Sequence, residues 1–328
     1  MTKNKLLVSG ASGFIGSRLM KRLKADNVPV IGIGRKNLIN SNYVACDLHD
    51  NIKLEGLLQD VDGVIHCAGY AHSFGMPQHI MADTHWKINY LGTKNLLELA
   101  ARCGVRSFVN LSSVKVMSNT ADICIDESWP AVPVSPYGKS KLAAENLILE
   151  VGKRYGMHIV NLRLAMVYGF GGSGNLERMS KLIHKGLFPP IPETHNHRSL
   201  IHVDDVLEAI LLASRIPKLN GLSLIVSGSE APSGRGIYDE IRRVYGMKAT
   251  RIEVPLPIMK ILASSCEFIQ KSSGVNLIFN QEVCDRLLKS EWYSSGNFEK
   301  LTGWRANIKL QDGLREMLNV KAEHQESL

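Results

Sequence analysis

Several things are missing from this sequence. No stretch approaches the roughly 18 uninterrupted apolar residues of a spanning helix, and the opening Met1-Thr2-Lys3-Asn4-Lys5 leads into an apolar run too short for a signal peptide. A cytoplasmic protein, at most peripheral to a membrane, is the expectation. The six cysteines (Cys46, Cys67, Cys103, Cys124, Cys266, Cys284) stand far apart with no C-x-x-C pair, which argues against a disulfide framework or a zinc site and fits reduced, buried thiols. Basic residues outnumber acidic ones, 39 to 31, yet never form a block of five or six, so a nucleic-acid tract is missing too. A phosphate-bearing small molecule is the best-motivated anionic partner. Internal repeats, low-complexity tracts and long Pro/Gly/Ser linkers are also lacking, so any second domain must be closely docked.

What is present is a chain of 328 residues, 45% hydrophobic, enough for a full core without staples. Candidate strands Lys5 to Ser9, Val28 to Ile33, Val64 to Cys67, Phe108 to Leu111 and Ile159 to Leu164 alternate with helical patterns over Gly16 to Ala25, His79 to Cys103 and Pro136 to Tyr155. That alternation predicts an α/β fold with a Rossmann-type doubly wound parallel sheet. After Tyr168 glycine- and proline-rich breaks begin. The expected division is a dinucleotide-binding domain over 1–168, rejoined by about 199–228, a smaller substrate lobe from 169–198 and 229–320, and a frayed tail over 321–328.

The segment Gly10-Ala11-Ser12-Gly13-Phe14-Ile15-Gly16 follows the first strand and opens a helix. Its glycines permit a tight turn and close approach of backbone to a pyrophosphate, while the helix N-terminus offers unpaired N–H groups to the anion. Where an acidic residue at the end of the second strand would bind the ribose hydroxyls of NAD, this chain has Gly34-Arg35-Lys36. Arg35 is suited to grip a 2′-phosphate, which favours NADP over NAD, although a solvated cation beside the adenine reads the same way. Asp47 follows the presumed third strand and is placed either to meet the adenine amino group or to close an ordinary turn.

Ser135-Pro136-Tyr137-Gly138-Lys139-Ser140-Lys141 sets a tyrosine and a lysine four apart at a helix start, with Ser135 as N-cap and Pro136 in the first turn. Both side chains share one face. A phenol titrates near pH 10; a neighbouring ammonium is expected to favour the phenolate and let Tyr137 exchange a proton with a sugar hydroxyl. Ser113, at the end of a candidate strand, is placed to orient that hydroxyl. The histidines His195, His197 and His202 lack strict ligand spacing, and no metal is expected.

These residues, with Val64-Ile65-His66-Cys67-Ala68-Gly69, Asn89-Tyr90-Leu91-Gly92-Thr93-Lys94-Asn95, Arg163 to Gly169, Arg198 to Asp204 and Gly303-Trp304, make the chain resemble the extended short-chain dehydrogenase/reductases, the nucleotide-sugar epimerase/dehydratase family. The resemblance implies a catalytic triad of Ser113, Tyr137 and Lys141. It also implies a dinucleotide held by Gly10, Ser12, Gly13, Phe14, Ile15, Gly16, Arg35, Asp47, Leu48 and Ala68 together with Tyr137 and Lys141. A UDP-sugar would be held in the C-terminal lobe by Asn175, Arg198 and Arg286, with Ser113 and Tyr137 at the sugar. A homodimer through the Tyr-Lys helix is implied by the same likeness. Family dehydratases carry an Asp-Glu pair where this chain has Val114 and Lys115, which argues against 4,6-dehydration. Met166 stands where many epimerases have a sugar-binding asparagine, as in a subgroup of O-antigen epimerases and 4-keto-sugar reductases. The implied activity is redox chemistry at carbon 4 of a UDP-hexose or UDP-N-acetylhexosamine for surface polysaccharide synthesis. A 4-keto-6-deoxy-sugar reductase is favoured, with a 4-epimerase retaining NAD as the alternative. A non-catalytic dinucleotide-sensing scaffold is the rival of another class. The apolar segment Pro257 to Gln270 packs on its own domain by default and leaves a peripheral membrane contact open, for instance to reach a lipid-diphosphate carrier.

Overall fold

The computed structural model describes residues 5–36, 42–71, 78–117, 122–172, 174–248, 250–273 and 281–319, excepting the side chains of 78, 79, 267–273, 281–283 and 286. The expected tail lies outside them. Seven parallel strands, β1 (Lys5–Ser9), β2 (Val30–Gly34), β3 (Tyr43–Ala45), β4 (Val61–His66), β5 (Ser107–Ser113), β6 (His158–Leu164) and β9 (Leu222–Val226), form one sheet in the order β3-β2-β1-β4-β5-β6-β9. The order reverses between β1 and β4, the switch point at which such sheets bind ligands beyond their carboxyl ends. The Rossmann-type α/β expectation is met.

Strand residues alternate between two cores, as a period of two requires. Val8, Ile65, Val109 and Val160 pack with α1 (Phe14–Ala25) and α7 (Val203–Ala213) on one face. Leu7, Val64, Phe108 and Ile159 pack with α2 (Asn51–Leu58), α4 (Gly92–Arg102) and α5 (Pro136–Tyr155) on the other. The helical pattern expected over His79 to Cys103 is divided: α3 (Gln78–His85) passes through a π-helical stretch, Trp86–Leu91, into α4. π-Helical stretches recur at functional sites, and this one carries Asn89.

A separate core builds the lobe from α6 (Asn175–His184), α8 (Gly234–Val244), α9 (Leu256–Ser273), α10 (Gln281–Leu288) and α12 (Leu310–Leu318), beside the two-stranded pair β7 (Met166–Tyr168) and β8 (Leu200–His202). Phe298 on α11 (Gly296–Thr302) and Trp304 join the α1/α7 core instead. On α9 Met259 and Ala263 are buried in the lobe core, whereas Leu256, Ile258, Ile261 and Leu262 are exposed.

Candidate active site

The phosphate cradle sits at the carboxyl end of β1. Gly10 holds a left-handed φ of 67°, and a Cβ there would lie 2.7 Å from the Ala68 amide nitrogen, so the backbone of the β4 end closes against the turn. At Gly16 a Cβ would strike the Gly10 carbonyl oxygen at 2.3 Å, which is why the helix begins so close to the strand. Gly13 caps α1 with no side chain bonded to its first turn and no acidic residue in that turn. Those amides remain for an anion, and the cradle fits a dinucleotide pyrophosphate. Ser12, Phe14 and Ile15 are half-buried around it.

A second feature marks the end of β2. Arg35 is exposed there. The Tyr43 hydroxyl and Ser12 Oγ lie 2.7 Å and 3.2 Å from where a Gly34 side chain would start, so any carboxylate at that position would displace the tyrosine. The Tyr43 hydroxyl is buried and has no hydrogen-bond partner among the described residues. This unpartnered hydroxyl and the cradle's Ser12 Oγ both border the Gly34 position. β3 carried no motif that pointed to Tyr43. Asp47 is committed to a turn: its Oδ1 accepts from the His49 backbone N–H and ring Nδ1, both at 2.9 Å, which holds its carboxyl below the usual range. The Leu48 carbonyl accepts from Asn95 Nδ2.

Ser113, Tyr137 and Lys141 converge beside this cradle. Ser135 accepts from the Gly138 N–H at 3.1 Å as N-cap of α5, with Pro136 in the first turn. The Ser113 hydroxyl lies close enough to the Tyr137 phenol to lower its pKa, and its oxygen accepts from the Lys115 N–H at 3.2 Å. Lys141 is buried and donates to the Leu111 carbonyl at 2.9 Å. Burial lowers its ammonium to about 8, against the pull of Glu145 and Cys67. The expectation that Lys141 lowers Tyr137 requires correction for the ligand-free chain: burial pushes the phenol up, with the Ser113 hydroxyl opposing it. In this state Tyr137 is a protonated acid.

A buried polar network supports these three groups; the motifs containing His66, Asn89 and Thr93 are legible in the sequence, but the bonds that join them are not. Asn89 Oδ1 accepts from the Tyr70 N–H at 2.7 Å, and its Nδ2 donates to Tyr70 O and Ser140 Oγ, both at 3.1 Å. Ser140 in turn donates to the Tyr137 carbonyl at 2.8 Å. Thr93 donates to the Asn89 carbonyl at 2.7 Å and contacts His66 Nε2 at 2.8 Å, while His66 Nδ1 lies 2.6 Å from Ser9 Oγ. Because Thr93 spends its proton on Asn89, His66 must carry its proton on Nε2 and accept from Ser9. Burial, reinforced by Lys141, lowers its pKa to about 3 and keeps it neutral. The chain of bonds thus ties the strand before the cradle to the helix that carries Tyr137.

Among the residues expected on the substrate side, Asn175 opens α6, half-buried. Arg198 is buried against the Glu291 carboxylate at 3.2 Å and the Lys289 carbonyl at 3.3 Å, and Glu291 also pairs with Lys115. Arg286 lies on α10, its side chain outside the described residues. Met166 packs on the lobe core. His202, Asp204 and Glu316 face one another. Arg18 already bridges the two carboxylates, at 2.9 Å to Asp204 and 2.5 Å to Glu316, supplying the positive charge there. Arg18 also donates to the Phe170 carbonyl at 2.9 Å, pinning the glycine-rich loop to the cofactor-side helix.

Residues 6–221 match the model of the NAD dependent epimerase/dehydratase family. The chain belongs to that family. It is 24% identical over 318 residues to the UDP-glucose 4-epimerase of Vibrio cholerae, covering 95% of this chain and 93% of that one. It is 28% identical to the N-acetyl-α-D-glucosaminyl-diphospho-ditrans,octacis-undecaprenol 4-epimerase of Escherichia coli O157:H7, covering 64% of this chain and 62% of that. Among solved structures, MoeE5 in complex with UDP-glucose and NAD superposes with a TM-score of 0.77 at 23% identity, over 96% of this chain and 97% of that one. The chain is thus an enzyme of the extended short-chain dehydrogenase/reductase class.

Proposed function

We propose that the enzyme carries out nicotinamide-dependent redox chemistry at carbon 4 of a nucleoside-diphosphate hexose or N-acetylhexosamine, in the reducing direction. The observation that carries this reading is the Tyr137 phenol next to the Ser113 hydroxyl, with Lys141 buried on the same helix and bonded to the Leu111 carbonyl at the carboxyl edge of the sheet. Ser113 orients the keto oxygen of the sugar. Tyr137, held as a phenol by burial, donates its proton to that oxygen, and Lys141 favours the resulting phenolate by its charge. The dinucleotide, when bound, supplies the hydride to the carbon. Arg198 and Asn175 are the groups proposed for the diphosphate, and a substrate phosphate would compete with Glu291 for Arg198.

NADP is the favoured cofactor, because Gly34 leaves no carboxylate to repel a 2′-phosphate and Arg35 stands exposed beside the space. The Tyr43 hydroxyl, buried and unpartnered in the ligand-free chain, is the donor proposed for that phosphate. Tyr43→Phe is expected to leave the ligand-free protein equally or slightly more stable, since a buried unpaired hydroxyl costs about 1–3 kcal/mol. The same variant should bind NADPH roughly tenfold more weakly while NADH changes little, by the loss of one charge-assisted hydrogen bond. Titration of both dinucleotides by fluorescence checks this, and equal losses for the two would remove the 2′-phosphate assignment.

A 4-epimerase is the second reading, favoured by the named relatives, one of which acts on a lipid-linked sugar. The purified protein separates the two. Interconversion of UDP-glucose or UDP-N-acetylglucosamine without net cofactor consumption would overturn the reductase. Stoichiometric NADPH oxidation with a 4-keto-6-deoxy nucleotide sugar is the expected result. A homodimer through α5 is the assembly we propose.

A further inference from the structure

Helix α9 departs from the ordinary pattern of a surface helix, for it turns an apolar stripe to solvent beside Lys260, Ser264 and Ser265. Met259 and Ala263 face the lobe, while Ile258, Ile261 and Leu262, three and four residues apart, are 49%, 64% and 41% exposed. Leu256 and, on the segment leading into the helix, Ile252 extend the patch at 40% and 72%. Among the described outward positions from Leu256 to Ser265 the charged side chain is Lys260, and exposed Arg251 stands beside Ile252. The approach to the patch is also firmly seated. Buried Arg235 donates to the Ile191, Thr250 and Ile252 carbonyls at 3.0, 2.5 and 3.4 Å, and the Val254 N–H donates to the Pro190 carbonyl at 3.1 Å.

We infer that this face docks the enzyme on an anionic bilayer surface. An apolar ridge flanked by Arg251 and Lys260, with the neighbouring Glu253 carboxylate paired to Arg235 at 3.5 Å, on a chain of net charge +8, suits insertion among acyl chains with cations at the phosphate level. A second copy is a poorer occupant, because a two-fold contact through the ridge would bring like cations together. The ridge belongs to the lobe proposed to hold the sugar, so docking would bring that lobe to the membrane, where a lipid diphosphate carries its sugar.

The test is sedimentation of the full chain with vesicles of phosphatidylcholine alone and with about 30% phosphatidylglycerol added. Preferential binding to the anionic vesicles is expected, weakening above roughly 0.5 M salt. The double variant Ile258→Glu/Ile261→Glu should partition at least about tenfold less, since each isoleucine contributes a factor of ten or more when buried. Its turnover of a soluble nucleotide sugar should be unchanged, which also reports that it folds. Vesicle binding equal in native and variant protein, or no binding by either, overturns the inference. So does a native dimer that the variant breaks without any vesicle binding. The inference stands apart from the proposed reaction: loss of vesicle binding leaves the redox assay untouched, and failure of that assay leaves docking to be judged by sedimentation alone.

Discussion

Replacing Tyr137 by phenylalanine is expected to lower turnover by roughly a hundred- to ten-thousandfold, the range for loss of a positioned general acid. The ring stays in place because its surroundings do not depend on the hydroxyl. Ser140 bonds the backbone carbonyl of residue 137, and the His85 ring lies edge-on at 5.5 Å from its centroid. Dinucleotide affinity should therefore change little, giving a loss confined to kcat. Steady-state kinetics with direct dinucleotide titration checks this. Turnover within a few-fold of the native enzyme would remove Tyr137 from the proposed chemistry. A parallel loss of dinucleotide binding would show that the hydroxyl serves the cofactor instead.

The largest expected loss of stability comes from Glu145→Ala. Glu145, one turn after Lys141 on α5, is 1% exposed and accepts from Arg163 Nε at 3.2 Å to each oxygen and from its terminal nitrogen at 2.8 Å. Removing the carboxylate strands a buried guanidinium, a change that costs about 3–5 kcal/mol. Thermal unfolding should fall by several degrees. Glu145→Ala/Arg163→Met, which removes the stranded guanidinium, should recover most of that loss; a single variant less than about 1 kcal/mol destabilised would refute the assignment.

Glu145 also acts on Lys141. Its charge raises the Lys141 pKa against the larger effect of burial, which brings it from 10.5 to about 8. A base whose folded pKa is depressed binds fewer protons folded than unfolded between those values, so stability rises with pH across that window. Lys141 therefore opposes folding most below pH 8, and the opposition fades towards pH 10.5. The stability difference between Lys141→Met and the native enzyme should shift in the native enzyme's favour over that interval, measured by denaturant unfolding at successive pH values.

Local pattern made much of this molecule readable. The spacing of Tyr137 and Lys141, the serine-proline start of their helix and the glycines of the cradle are short-range features, and α5 spans Pro136–Tyr155 as its periodicity indicates. Short continuous apolar runs placed the strands, because both faces of the sheet are covered. Less visible was anything requiring two distant segments to meet. The π-helical stretch that turns Asn89 towards Ser140 reads in sequence as one uninterrupted helix. Tyr43 comes to face Gly34 and Ser12 through the pairing of β3 with β2.

By itself the sequence determined the kind of chemistry, because a phosphate cradle and a Tyr-Lys helical pair are each written within a few consecutive residues. Tertiary structure decided the electrical state in which that chemistry starts. Burial leaves Tyr137 protonated, His66 neutral and Lys141 titrating near 8. Desolvation belongs to the packed chain, and no spacing of residues along a sequence encodes it locally.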